Sequence, residues 1–319
     1  MKVVVTGGAG FIGSAFVRDA LKGEFLNIGI DPIELIVIDK LTYAGSMDNL
    51  VDVSNDKRFR FHQEDIVSAK AITPLIRDAD LVVNFAAESH VDRSIENPDD
   101  FIQSNIVGVQ NLLNCCLKND VKRFLQVSTD EVYGSIEEGC WDENFPVSPN
   151  SPYSASKASA DLLVLASHRT YGQDVVITRC SNNYGPNQHL EKLIPKLISR
   201  LLSGKDLPIY GDGSNLREWI HVSDHVKAIA YIAVFGQKGE IYNVGTQNHI
   251  SNLELCELLM GMVKSHTSEI RFVEDRLGHD FRYALNTSKL KTLGFEPTKD
   301  FAEGLFETIE WYRKNSDSV

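Results

Sequence analysis

Short apolar runs, many of them β-branched, alternate along the first half of the chain with longer stretches whose apolar residues recur every three or four positions. Residues 3–6, 34–39, 59–63, 81–86, 123–128 and 174–178 read as strands, and residues 12–25, 69–77, 98–118 and 153–170 as helices. The strands are apolar throughout, as in Val3-Val4-Val5 and Leu35-Ile36-Val37-Ile38, rather than on alternate positions. A parallel sheet covered by helices on both faces requires that pattern. The expected fold class is therefore α/β, with a doubly wound parallel sheet of Rossmann type.

After Arg179 the rhythm loosens. Residues 181–188 are rich in Pro, Gly and Asn, a helix is expected at 193–202, and residues 211–214 form a Gly-Asp-Gly-Ser turn. A helix at 224–235 and a strand at 240–244 can still belong to the sheet. The remainder holds a helix at 252–264, a strand at 269–273 and an amphipathic helix at 301–313. No Gly/Ser-rich or Pro-rich linker separates these parts, so a smaller C-terminal α/β lobe sharing a cleft with the sheet domain is expected. The expected division is residues 1–181 with 219–249 in the sheet domain, and 182–218 with 250–319 in the second lobe.

Composition narrows the function. The 319 residues are 43% hydrophobic and 24% charged, which sits at the globular average and excludes a disordered or collagen-like chain. With 32 Lys and Arg against 44 Asp and Glu, the net charge of −12 argues against a nucleic-acid surface. No apolar run approaches the ~20 residues of a spanning helix, and Lys2 leads directly into a strand, so a cytoplasmic protein is expected. Five scattered cysteines without a Cys-x-x-Cys pair suggest reduced thiols, and His221 with His225, four residues apart, is better explained as a strand-to-helix turn than as a metal site.

Thr6-Gly7-Gly8-Ala9-Gly10-Phe11-Ile12-Gly13 lies between the first strand and the first helix. Gly7, Gly10 and Gly13 remove side chains that would keep a pyrophosphate from the helix N-terminus, with Phe11 and Ile12 opening that helix. Asp39 ends the second strand, where a carboxylate accepts from ribose hydroxyls and repels a 2′-phosphate, so the expected cofactor is NAD. Asp65 and Ile66 end the third strand, where an adenine is held. Phe85, Ala86, Ala87, Glu88 and Ser89 end the fourth, where small residues admit the cofactor.

Tyr153 and Lys157 stand four residues apart, so the phenol and the ammonium share one helix face. A neighbouring cation lowers a phenol's pKa, the change that would make Tyr153 a base. Ser128-Thr129-Asp130-Glu131 sets a hydroxyl before two adjacent carboxylates at a strand end, an arrangement for one proton donor and one acceptor.

From end to end these stretches resemble the extended short-chain dehydrogenase/reductases, and among them the dTDP-glucose 4,6-dehydratases. The resemblance covers the glycine loop, Asp39-Lys-Leu-Thr-Tyr-Ala-Gly45, Ala86-Ala-Glu-Ser-His-Val-Asp-Arg-Ser94, Ser128 to Gly134, Tyr153 to Lys157, Ser181-Asn-Asn-Tyr-Gly-Pro186, Arg217 to Asp224 and Asp275-Arg-Leu-Gly-His279. It implies oxidation of the sugar at carbon 4, loss of water across carbons 5 and 6, and hydride return to carbon 6, with Thr129, Asp130, Glu131, Tyr153 and Lys157 as the catalytic set. It also implies that Lys40, Leu41, Thr42, Ser104, Ser128 and Asn183 help hold NAD. Ser89, Thr129, Asn182, Lys192, Leu193, Pro208, Ile209, Tyr210, Arg217, Asn252, Asp275, Arg276 and His279 would contact the sugar nucleotide.

The sequence departs from the family in two places: Leu277 replaces a usual Pro, and the segment between Tyr133 and Tyr153 is short. The apolar stripes Phe101, Ile102, Leu112, Leu113 and Leu162, Leu163, Leu165 resemble the helix pair through which members form homodimers, although such stripes also serve as core. The competing readings are a UDP-hexose dehydratase, a 4-epimerase or decarboxylase with Asp130 and Glu131 idle, and a non-catalytic NAD-dependent regulator.

Overall fold

The computed structural model describes residues 1–264, 267–275 and 278–315. Its strands are β1 (Lys2–Thr6), β2 (Glu34–Asp39), β3 (Phe59–Gln63), β4 (Leu81–Asn84), β5 (Arg123–Thr129), β6 (Val175–Cys180), β7 (Asn182–Tyr184), β8 (Leu207–Tyr210), β9 (Leu216–His221), β10 (Glu240–Val244), β11 (His249–Ser251) and β12 (Ile270–Val273). Seven form one sheet in the order β10-β6-β5-β4-β1-β2-β3, every pair parallel. Chain direction across the sheet reverses between β1 and β4, which opens a crevice at their carboxyl ends.

Helices cover both faces, which is why the central strands are apolar throughout. On one face Phe16 and Val17 of helix Phe11–Lys22 and Ile229 of helix Val222–Phe235 join the core under Val3 and Val5. On the other, Ile72, Leu112 and Val164 from helices Ala69–Ile76, Gly108–Lys118 and Pro152–Tyr171 pack on Val4, Val82 and Phe124. A separate apolar core, including Leu197, Ile209, Trp219, Leu255 and Ile309, lies under the remaining strands.

Three features differ from the expectations. The stretch 98–118 is broken by a π-helical turn, Ile102–Val107, between short helix Asp99–Phe101 and helix Gly108–Lys118. β7, β8, β9 and β11 were not anticipated, being short and polar or Gly-flanked. The apolar stripes divide: Phe101, Leu112 and Leu113 are core, whereas Ile102 and Leu162 are 44% and 56% exposed. Among the described residues no helix is long and apolar enough to cross a membrane.

Candidate active site

One cleft runs along the carboxyl ends of β1, β2, β4, β5 and β6 and takes in the glycine loop, Asp39, Asp65, Thr129 to Glu131, Tyr153 and Lys157. At its floor Gly7 adopts φ +67°, and a Cβ there would stand 2.4 Å from the Ala86 nitrogen; one on Gly13 would stand 2.3 Å from the Gly7 oxygen. The two strand ends therefore touch through bare backbone. Gly10 caps helix Phe11–Lys22 with no side-chain bond, leaving its first-turn amides to serve an anion.

Asp39 is fixed by two backbone donors: Ala9 N to Oδ2 at 3.0 Å and Leu41 N to Oδ1 at 2.8 Å. Burial pushes its carboxyl up, and those two bonds and Lys40 pull it back. Lys40 Nζ lies 3.7 Å from Asp65 Oδ2 and donates to Ser104 Oγ at 3.3 Å, so this cation is engaged beside the acidic strand end. Leu41, expected at the cofactor, is not among the cleft residues: with φ +55° it packs its side chain on the apolar core. Asn105, inside the π-helical turn, clamps Glu88 through Glu88 N to Oδ1 (2.9 Å) and Nδ2 to Glu88 O (3.0 Å), and reaches Ser156 Oγ at 2.8 Å.

A buried polar ladder crosses the sheet toward Lys157. Thr6 Oγ1 donates to Asn84 Oδ1 (2.5 Å), Asn84 Nδ2 to Gln126 Oε1 (2.8 Å) and Gln126 Nε2 to Val127 O (3.2 Å). That same carbonyl accepts Lys157 Nζ at 2.7 Å. Lys157 is 5% exposed, and its burial pushes the ammonium pKa down against the pull of Asp161.

Tyr153 follows Ser151, whose side chain caps the helix in a reciprocal pair with Ser154, and Pro152 at the first turn. Burial, then the Glu131 carboxylate, push its phenol well above its ordinary value, while a hydrogen bond with Thr129 pulls it down. The expected lowering by Lys157 is thus corrected in the protein alone: the ammonium is turned to Val127 and burial dominates.

Thr129 ends β5 and caps the next turn, accepting from Glu131 N at 3.3 Å and donating to Asp130 Oδ1 at 3.2 Å. Asp130 is 2% exposed and its Oδ2 has no hydrogen-bond partner. Burial, and then the charges of Glu131 and Glu218, push its carboxyl well above its ordinary value, in the direction of the neutral acid. Glu131 is only half-buried. Adjacent carboxyls thus occupy different environments.

The residues expected at the sugar nucleotide form two groups. Ser89, Asn182, Lys192 and Leu193 line the same cleft, and Lys192 Nζ donates to Ser89 O at 2.7 Å across it. Pro208, Ile209, Tyr210, Arg217, Asn252, Asp275 and His279 do not line that cleft, although the Arg217 charge acts on Asp130 within it. His279 Nδ1 meets Asp275 Oδ1 at 2.6 Å, and Tyr210 lies edge-on to His279. Arg217 donates to the Leu216, Phe281 and Asp280 carbonyls and covers the Tyr283 ring at 4.5 Å. Arg276 and Leu277 lie outside the described residues. The short segment after Tyr133 packs on residues 281–286, with Trp141 stacked on Tyr133.

Sequence reasoning missed Cys180, Ser181, Gln188, Glu191 and Trp219, all of which line the cleft. Ser128 Oγ, Ser181 Oγ, Gln188 Oε1 and Trp219 Nε1 are buried there without hydrogen-bond partners, as is Asp130 Oδ2, whereas Glu191 is ion-paired with Lys192 at 3.6 Å. Buried polar atoms are ordinarily paired, so this concentration fits a polar ligand, and the bare glycine floor fits a dinucleotide.

Fold and cleft together define a dinucleotide-binding protein of the extended short-chain dehydrogenase/reductase type. The chain belongs to the family described as GDP-mannose 4,6 dehydratase, whose profile matches residues 4–308. It is 50% identical over 317 residues to a dTDP-glucose 4,6-dehydratase of Actinoplanes, covering 99% of this chain and 98% of that one. The crystal structure of DesIV, a dTDP-glucose 4,6-dehydratase of Streptomyces venezuelae with NAD and TYD bound, superposes with TM-score 0.97 at 49% identity, covering 99% and 98% of the two chains. UDP-glucose 4-epimerase of Thermotoga maritima, with UDP-glucose, superposes with TM-score 0.89 at 29% identity, covering 99% and 100%.

Proposed function

We propose that this chain is a hydro-lyase that converts dTDP-glucose to dTDP-4-keto-6-deoxyglucose with NAD as an internally recycled cofactor. The observation that carries the reading is Asp130, a buried carboxyl pushed toward its neutral form, beside the half-buried Glu131 and in one cleft with Tyr153. Closely similar relatives bear the name of the same activity. The epimerase relative shares the scaffold, so the scaffold alone does not choose between the two chemistries.

When bound, NAD takes a hydride from carbon 4 of the sugar and returns it to carbon 6. Gly7, Gly10 and Gly13 would admit its pyrophosphate to the helix amides, with Asp39 at its ribose and Asp65 and Ile66 at its adenine. Tyr153, hydrogen-bonded to Thr129, would accept the proton of the 4-hydroxyl as its phenolate, a form that burial disfavours in the protein alone and that needs a cation brought to the ring with the cofactor. The resulting ketone acidifies carbon 5, from which Glu131 removes the proton. Asp130, pushed toward its neutral form by its surroundings, protonates the departing 6-hydroxyl so that water leaves. A proton then returns to carbon 5.

In this reading residues 1–181 with 219–249 hold the cofactor, and 182–218 with 250–319 hold the sugar nucleotide. Two copies join through the helix pair that exposes Ile102 and Leu162, giving a homodimer that light scattering would detect. Dependence on NAD and a sugar nucleotide supports a cytoplasmic site of action. The test is incubation with dTDP-, UDP-, CDP- and GDP-hexoses, followed by assay for the alkali-induced absorbance of a 4-keto sugar. The expected result is a strong signal with dTDP-glucose; a galactose product without ketone would overturn the reading.

A further inference from the structure

Helix Pro152–Tyr171 carries a fully buried carboxylate, Asp161, that no step above uses. It follows Lys157 by four residues, so both side chains leave the same helix face. Arg179 on β6 donates from Nε to Asp161 Oδ2 at 2.9 Å, the two side chains being 3% and 0% exposed. Asp161 Oδ1 has no hydrogen-bond partner. Burying an ion pair costs desolvation that its attraction often fails to recover, so stability alone is a weak reason for this one.

The pair sits where three parts of the site meet. Arg179 also lies 4.6 Å from the ring centroid of Tyr133, which closes the turn bearing Asp130 and Glu131. Tyr133 in turn donates to Asn243 Oδ1 at 2.9 Å on β10. Lys157 donates to the Val127 carbonyl on β5, and the charges that act on its ammonium are those of Asp161 from its own helix and Cys180 from β6. The Cys180 thiol is pushed up to about 12 by burial, which leaves the Asp161 carboxylate, four residues on along the helix, as the acidic side chain that acts on the ammonium.

We propose that Asp161 is a positioning residue: clamped by Arg179, it is the counter-ion that keeps Lys157 cationic and seated against Val127. The kinetic arm of the test rests on the dehydratase reading, whereas NAD binding does not. Three variants serve: Asp161→Asn, Asp161→Glu, and the double change Asp161→Asn with Arg179→Met, which leaves no buried charge unpaired. Rates of 4-keto product formation and NAD dissociation constants from calorimetry are measured against pH.

In Asp161→Asn and in the double variant, the alkaline loss of kcat and of NAD affinity moves to lower pH by about one unit, a tenfold change in lysine proton affinity. Asp161→Glu restores the limb. If Asp161→Asn does not fold, the double variant carries the test. A fall by the same factor at every pH, or a double variant with the wild-type limb, overturns the proposal. Wild-type protein that makes no ketone overturns the dehydratase reading and leaves the NAD arm to decide on Asp161.

Discussion

A Cβ placed on Gly7 would lie 2.4 Å from the backbone nitrogen of Ala86, so the loop after β1 and the end of β4 fit only without a side chain between them. Gly7 also holds φ +67°, where an L-residue is strained by about 1–2 kcal/mol. Gly7→Ala is therefore expected to abolish NAD binding in calorimetry and to lower Tm. Gly139→Ala, at φ +77° with open space around it, should pay only the backbone strain and keep full NAD affinity. Equal losses in the two variants would show that strain, not closeness, matters at Gly7.

In the proposed mechanism Asp130 and Glu131, adjacent in sequence, act at a later step than Tyr153. Asp130→Asn and Glu131→Gln are expected to retain a single-turnover reduction of NAD while forming product on the order of 10²–10⁴-fold more slowly. Tyr153→Phe should lose the reduction itself. The nicotinamide absorbance after rapid mixing with dTDP-glucose separates the two patterns, and NAD reduction that survives in Tyr153→Phe would remove it from the role of base.

Much of this was legible in the chain. The apolar strands announced the parallel sheet, and the glycine loop and strand-end acids announced its ligand-binding edge, because period and position are local properties. What was not legible depended on partners far away in sequence. Leu41, expected at the cofactor by resemblance, packs its side chain on the apolar core. Tyr153 and Lys157 read as a base and its activating cation from their spacing, which does not show that in the protein alone Lys157 donates to Val127 and burial raises the phenol. Asn105 gave no signal at all, since its function depends on a π-helical turn that brings it to Glu88.

Two histidines predict an acid sensitivity. Burial pushes His225 down to about 3 and His221 to about 4. His225 Nδ1 meets Asn183 Oδ1 at 2.7 Å, so the neutral ring donates there. With folded values below the ordinary 6.5, both histidines stay neutral in the folded chain while the unfolded chain takes up protons. Their stabilisation is complete above about pH 6.5 and is lost as pH falls toward 4 and 3, at up to about 1.4 kcal/mol per pH unit for each. Urea unfolding of His225→Gln should therefore show a smaller loss of stability between pH 7 and pH 5 than the wild type. An unchanged difference would mean that other groups govern the acid limb.

Arg217 offers a test of how the second lobe serves the cleft. Its guanidinium is 5% exposed and bonds the carbonyls of Leu216, Phe281 and Asp280 while covering Tyr283. A planar fork can satisfy these partners together, whereas a lysine offers one compact ammonium and no stacking face. Arg217→Lys keeps the positive charge that acts on Asp130 but releases the 280–281 backbone next to His279. If this lobe holds the nucleotide, the change raises KM for dTDP-glucose about tenfold or more with a smaller effect on kcat, and Tm falls with the lost hydrogen bonds. A drop in kcat at unchanged KM would instead assign Arg217 to the reacting end of the sugar.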